Sequence, residues 1–171
     1  MIIKYFDDDQ FKAANICNVR NTVRCFVLNE FGQCAMILIK GQDLFGKRNH
    51  YESPGGGIEV GESMIQAVHR EIQEELGYEV DSISYLASVV DAYHRLELTT
   101  VHNYFVCKLA KKTCYARTCL ELQLFDSIEW KLPNVWLDIL DKPQDGVNEL
   151  VHARERFMMR YFVDKQETLR D

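Results

Sequence analysis

With 171 residues, 47% hydrophobic and 27% charged, the chain has the size and balance of one globular domain, taken as residues 1–171. A formal net charge of -6 argues against nonspecific binding to nucleic acid. No run approaches the ~20 apolar residues of a membrane span. No secretory leader follows Met1, because MIIKYFDDDQ turns acidic at once.

In chain order, residues 21–30 and 33–40 are rich in branched side chains, with Phe31-Gly32 between them, which predicts two strands joined by a tight turn. GQDLFGKRNH is polar with two glycines and is expected to be a loop. YESPGGG ends in three glycines, a backbone freedom that other residues lack. Over residues 63–76, Met64, Val68, Ile72 and Leu76 fall four apart with Ile65 alongside, and Gly77 follows as a stop signal; the spacing predicts a helix. Residues 79–93 and 99–110 read as two strands, with HRLEL as a bend or continuation between them. LELQLFDSIEW reads as a further strand or strand-loop. After DKPQDG, residues 147–166 carry an apolar face of Val147, Leu150, Val151, Phe157, Met158, Tyr161 and Phe162, with the other face charged, as an amphipathic helix does. Strands dominate the middle, one helix lies between them and one ends the chain. The fold class is therefore α/β, a mixed sheet with helices on its faces. Cys17, Cys25, Cys34, Cys107, Cys114 and Cys119 form no CxxC; most sit in apolar runs and are read as free thiols of a reducing cytoplasm. Trp130 and Trp136 read as packing residues.

PGGGIEVGESMIQAVHREIQEELGYEV poses the chemical question. It holds Glu59, Glu62, Glu71, Glu74 and Glu75 with one basic residue, Arg70, in the middle. On a helix Glu71, Glu74 and Glu75 share one face, at the margin of the apolar stripe where water is scarcer. Like charges at this spacing repel. A divalent cation removes the problem, and hard oxygen ligands are what magnesium takes. Glu62 stands before the helix, and Arg70 is placed to reach back to it.

Gly56, Glu62, Arg70, Glu71, Ile72, Glu74, Glu75 and Gly77 stand at the spacings of the Nudix box, with Tyr78 in place of the final aliphatic. The chain thus resembles the Nudix hydrolases over roughly residues 21–130. The resemblance implies an α/β/α sandwich with a mixed sheet. It also implies hydrolysis of a phosphoanhydride in a nucleoside diphosphate linked to another moiety, by water attack with Mg²⁺ or Mn²⁺. Glu74 and Glu75 then resemble metal ligands, and Glu71 a further ligand or the general base. A carbonyl of Gly55 or Gly56 completes the shell; Glu62 and Arg70 orient the helix. The acid beyond the box is expected at Glu121, with Glu129 as second choice. Arg24, Lys40, Lys47 and Arg48 are candidates for substrate phosphates, and Tyr93 for the region that in some members prefers dinucleoside polyphosphates. The implied partner is a nucleotide-type small molecule, with a homodimer possible and no membrane. Two alternatives stay open: a nucleotide-binding sensor without turnover, and a pyrophosphohydrolase of RNA 5′ ends, which the acidic charge disfavours.

Overall fold

The computed structural model describes residues 1–114 and 124–168. The elements are β1 (Ile2–Asp7), β2 (Asn18–Leu28), β3 (Cys34–Asp43), β4 (Gly46–Glu52), α1 (Met64–Leu76), β5 (Tyr78–Tyr93), a 3-10 turn (His94–Leu96), β6 (Leu98–Lys112), β7 (Phe125–Lys131), α2 (Pro133–Leu140) and α3 (Val147–Thr168). The strands form a seven-stranded mixed sheet ordered β1-β5-β6-β2-β3-β4, with β7 against β3.

One irregularity shapes the molecule. β2 runs parallel to β6 along its length, from Asn18↔Leu98 to Leu28↔Lys108. It meets β3 only at Leu28↔Cys34. The sheet therefore diverges into two wings from that hairpin. The free edge of β2 is taken by the glycine-rich loop: Cys25 N–H donates to Pro54 O at 2.8 Å, Val23 N–H to Gly56 O at 3.0 Å, and Ile58 N–H to Asn21 O at 3.0 Å.

Side chains alternate across a strand, so β2 feeds two cores. Val23, Cys25 and Val27 pack with Ala67, Val68, Ile72 and Leu76 of α1 on one face. Phe26 packs with Trp136, Leu140, Met158, Met159 and Phe162 of α2 and α3 on the other. The result is the expected α/β/α arrangement. α1 starts at a capping box, with Gln66 N–H donating to Ser63 Oγ and Ser63 N–H to Gln66 Oε1 at 2.9 Å, and ends at Gly77 in the left-handed region, φ 71°. Trp136 is fully buried and donates its indole N–H to Cys34 O at 2.8 Å. Cys25, Cys34 and Cys107 are buried free thiols, whereas Cys17 and Cys114 are exposed.

Three expectations are corrected. The stretch GQDLFGKRNH is not a loop. It supplies the end of β3 and most of β4, paired from Asp43↔Gly46 to Ile37↔Glu52, because backbone pairing serves a polar hairpin as well as an apolar one. β1 and α2 complete the layers without having been anticipated. The second face of α3 is not simply charged surface: Arg154 is 1% exposed and Glu155 0%, because both meet polar partners on the sheet. Among the described residues no helix is long and apolar enough to cross a membrane.

Candidate active site

The two wings enclose a cavity of about 530 Å³ on the α3 side of the sheet. β2 lines it with Arg20, Thr22 and Arg24, and β6 with Leu98, Thr100 and His102. The β3–β4 hairpin adds Ile39, Asp43, Phe45, Arg48 and Glu52, and Tyr93 and Phe125 complete an aromatic side. At one end stand Gly55, Gly56 and Glu75.

The acids of α1 converge on that end. Glu71 and Glu75 are each 4% exposed. Gly55 N–H donates to Glu75 Oε2 at 2.7 Å. Gly55 has φ 137°, and a Cβ there would lie 2.2 Å from Val23 O, so only glycine brings the loop this close to β2. A Cβ on Gly56 would lie 2.5 Å from Glu71 Oε1. The carboxylate of Glu71 is thus packed onto bare backbone.

Arg70 is the positive centre of the cluster. It donates to Glu62 through Nε at 2.8 Å and Nη2 at 2.9 Å, to Glu71 through Nη1 at 2.7 Å, to Glu74 at 3.1 Å and to Gly57 O at 2.8 Å. Its hydrogen bonds pull the Glu62 carboxyl below the usual range. They do not suffice deeper in. Burial raises Glu71 despite Arg70, and burial together with the charge of Glu71 pushes Glu75 well above the ordinary carboxylate value. Two buried acids, an all-oxygen donor set and a glycine cradle fit a hard divalent cation. Among the described residues no three acidic, histidine or cysteine groups are already arranged around one ion position; Glu71 and Glu74 are drawn to Arg70 instead.

The other anticipated residues divide. Arg24 lines the cavity, but its Nη1 is committed to Ser53 O at 2.9 Å and Glu52 Oε2 at 3.2 Å. Arg48 lies over the Phe45 ring at 5.5 Å and beside Asp43 at 3.3 Å. Tyr93 lines the cavity and donates its hydroxyl to Asp91 Oδ2 at 3.1 Å. Lys40 is not brought in: it alternates with Ile39 on β3 and pairs with Asp126 at 3.1 Å. Glu129 lies on β7 away from the cavity, accepting from Tyr51 Oη at 2.6 Å and from Lys131. Gly56 O already accepts from Val23 N–H, which leaves one lone pair. Glu121 lies outside the described residues.

The floor was not foreseen. Arg154 of α3 donates to Asp91 Oδ2 at 2.7 Å, to Glu155 Oε1 at 3.0 Å and to Tyr104 Oη at 3.1 Å, and stands 3.5 Å from Glu52. Its Nη1 also stands 3.2 Å from His102 Nε2, which is itself 3.2 Å from Asp91 Oδ2, and His102 Nδ1 stands 2.9 Å from Thr22 Oγ1. Burial and the Arg154 charge hold His102 neutral, at about 3. Burial raises Glu52, but Arg24 and its other positive neighbours outweigh it and hold the carboxyl at about 2. No sequence signal pairs α3 with β5. Arg20 did leave one: Arg20, Thr22 and Arg24 alternate along one strand face.

Comparison with known proteins agrees with this geometry. The model of the NUDIX domain matches residues 18–132. An RNA pyrophosphohydrolase of Francisella tularensis subsp. mediasiatica is 33% identical over 64 residues, 34% of this chain and 41% of that protein. The NAD-capped RNA hydrolase NudC of Mannheimia succiniciproducens is 46% identical over 44 residues, 26% of this chain and 16% of that protein. The chain thus spans less than half the length of either relative. A MutT NUDIX hydrolase structure from Burkholderia pseudomallei superposes with a TM-score of 0.63 at 20% identity, over 85% of this chain and 98% of that one, and so shares the fold. With a match that takes in most of the sheet, the glycine-rich loop and the acidic helix, the chain belongs to the NUDIX domain family.

Proposed function

We propose that the chain is a hydrolase, dependent on Mg²⁺ or Mn²⁺, of a phosphoanhydride in a nucleoside diphosphate derivative. The observation that carries this reading is the pair of buried carboxylates, Glu71 and Glu75, set against Gly55 and Gly56 at the end of a cavity large enough for a nucleotide. Glu71, Glu74 and Glu75 would hold the cation, with a carbonyl of the glycine turn. When bound, it would screen phosphate charge and acidify a water.

The chain's own residues supply the rest. Arg70 gathers Glu62, Glu71 and Glu74 through one guanidinium, and a cation would have to draw Glu71 and Glu74 from it. Glu71, raised by burial, would serve either as a further ligand or as the base that takes the proton of the attacking water. Gly55 N–H fixes one oxygen of Glu75. Across the cavity Arg24 of β2 pairs with Glu52 of β4, which ties the two wings together, while Arg48 and Asp43 pair within the β3–β4 hairpin.

The test is a panel of nucleotide sugars, ADP-ribose, dinucleoside polyphosphates, nucleoside triphosphates and a 5′-triphosphorylated RNA, each with Mg²⁺ and with Mn²⁺, reading released nucleotide or phosphate. Metal-dependent turnover of one class is expected. Tight nucleotide binding with no turnover across the panel would replace the reading with that of a sensor. Turnover of the RNA alone would favour the activity that the Francisella relative's name describes.

A further inference from the structure

We propose that Arg20 is the side chain that holds a phosphate of the substrate, in place of the more obvious Arg24, Arg48 and Lys40. The inference deepens the hydrolase reading and rests on it for the identity of the anion.

Among the cations near the cavity, Arg24 is held by Glu52 and Ser53 O, Arg48 by Asp43 and the Phe45 ring, and Lys40 faces away onto Asp126. His102 is kept neutral by burial and by Arg154. Arg20 also lines the cavity. Its side chain makes no ion pair, hydrogen bond or ring contact among the described residues. Arg24 Nε and Arg48 Nη1 keep unused N–H groups, but both guanidinium charges face a carboxylate; among the described residues Arg20 is the cationic side chain of the lining whose charge no carboxylate meets.

Its position is as specific as its freedom. The guanidinium lies across Gly57: a Cβ on that residue would sit 3.0 Å from Arg20 Nη2 and 3.3 Å from Nε. The next residue back, Gly56, is the one against which Glu71 packs. The loop between them is pinned to β2 by Ile58 N–H donating to Asn21 O and by Val23 N–H donating to Gly56 O, each at 3.0 Å. Arg20 is thus held beside the acidic end of the cavity by the same ladder that places the glycines. A planar guanidinium there matches two phosphate oxygens at once. A single unpaired guanidinium among the described lining residues also sets a limit. With Arg24 and Arg48 neutralised by their own partners, the lining suits a short diphosphate whose uncharged part rests against Phe45, Tyr93, Leu96 and Leu98, not a polyanion that needs many basic contacts.

The test compares wild type, Arg20→Gln, Arg20→Lys and a charge control, Arg160→Gln, whose guanidinium pairs with Asp141 on the surface. Each is titrated calorimetrically with ADP and with inorganic pyrophosphate in the presence of Mg²⁺, and each is assayed on the best substrate of the panel. Arg20→Gln is expected to weaken ADP binding about tenfold and to make it less sensitive to salt. Arg20→Lys should recover part of the loss, and Arg160→Gln should match wild type. Thermal unfolding should be unchanged in Arg20→Gln, since the side chain has no ion pair or hydrogen bond to lose among the described residues. Equal ADP affinity in wild type and Arg20→Gln overturns the proposal even if turnover is robust, as does a wild type that binds neither probe. Arg20-dependent binding without turnover of any panel member leaves the proposal standing and removes the hydrolase reading instead.

Discussion

Replacing Arg154 by Met tests whether the polar floor of the cavity is structural. The guanidinium lies 2.7 Å from Asp91 Oδ2, 3.0 Å from Glu155 Oε1 and 3.5 Å from Glu52 Oε2. Asp91 and Glu155 are both 0% exposed. Removing one partner of a buried ion pair costs ~3–5 kcal/mol, because the remaining charge is left desolvated. Two hydroxyls stay behind, Tyr104 on Glu155 at 2.9 Å and Tyr93 on Asp91 at 3.1 Å, so the lower end, ~3 kcal/mol, is expected. For a domain of this size that corresponds to a fall of roughly 6–12 °C in Tm. Urea unfolding of wild type and variant at pH 7 measures it. The pH dependence supplies the sign. In wild type, burial raises Asp91 but Arg154 outweighs it and holds the carboxyl at about 2, below its ordinary 3.8. That contribution is present above the unfolded value and lost as pH falls from about 4 through 2. Without Arg154, burial lifts the folded carboxyl above the unfolded value, so protonation relieves the variant. Its deficit should narrow from pH 7 towards pH 5. A deficit under about 1 kcal/mol at pH 7, or one constant across that range, would refute the reasoning.

Glu75→Gln, and separately Glu74→Gln, should lower kcat at saturating Mg²⁺ by more than about tenfold, ~1.4 kcal/mol of barrier, with the fold kept; a variant retaining over a tenth of wild-type turnover contradicts the ligand assignment. Gly55→Ala should destabilise by at least ~2 kcal/mol in urea unfolding, since its Cβ would meet Val23 O at 2.2 Å. Gly32→Ala, with nothing within 4 Å, should cost about 1 kcal/mol or less. Burial lowers His50 and His152 to about 4 each. Between the ordinary 6.5 and 4 the unfolded chain binds more protons, so both sites weaken the fold as pH falls through that window. NMR titration should give midpoints near 4, and a midpoint near 6.5 at either residue would show that its ring is solvated.

The acidic helix was legible because its signals are local. The four-residue apolar spacing, the stop at Gly77 and the run of Glu lie within one element, and Ser63–Gln66 caps it as helix physics requires. Arg70 answers the question of what sits among the carboxylates, and its reach to Glu62 followed from spacing alone. What failed to show in the sequence depends on contacts distant along the chain. Arg154 and Glu155 read as a charged face because Asp91 and Tyr104, their partners, lie 63 and 51 residues away. The β3–β4 hairpin looked like a loop because its polar residues hide a full backbone ladder. Arg24 and Arg48 line the cavity as their residue type suggests, but their partners Glu52 and Asp43 come beside them only through the folding back of the β3–β4 hairpin.

The way the wings part has a consequence for motion. Where β3 leaves β2, the glycine turn takes its place, borrowing the amides of Val23 and Cys25 as acceptors' partners. In hydrogen-exchange language, these two amides sit in a core strand but are protected by the active-site turn. Exchange at Val23 and Cys25 therefore reports detachment of that turn. Because Val23 and Cys25 are themselves 0% exposed, such an opening exposes core as well as loop, which places it towards the global end of the range of opening energies. The turn that cradles Glu71 is thus an extension of the sheet and opens only with the core strand that holds it.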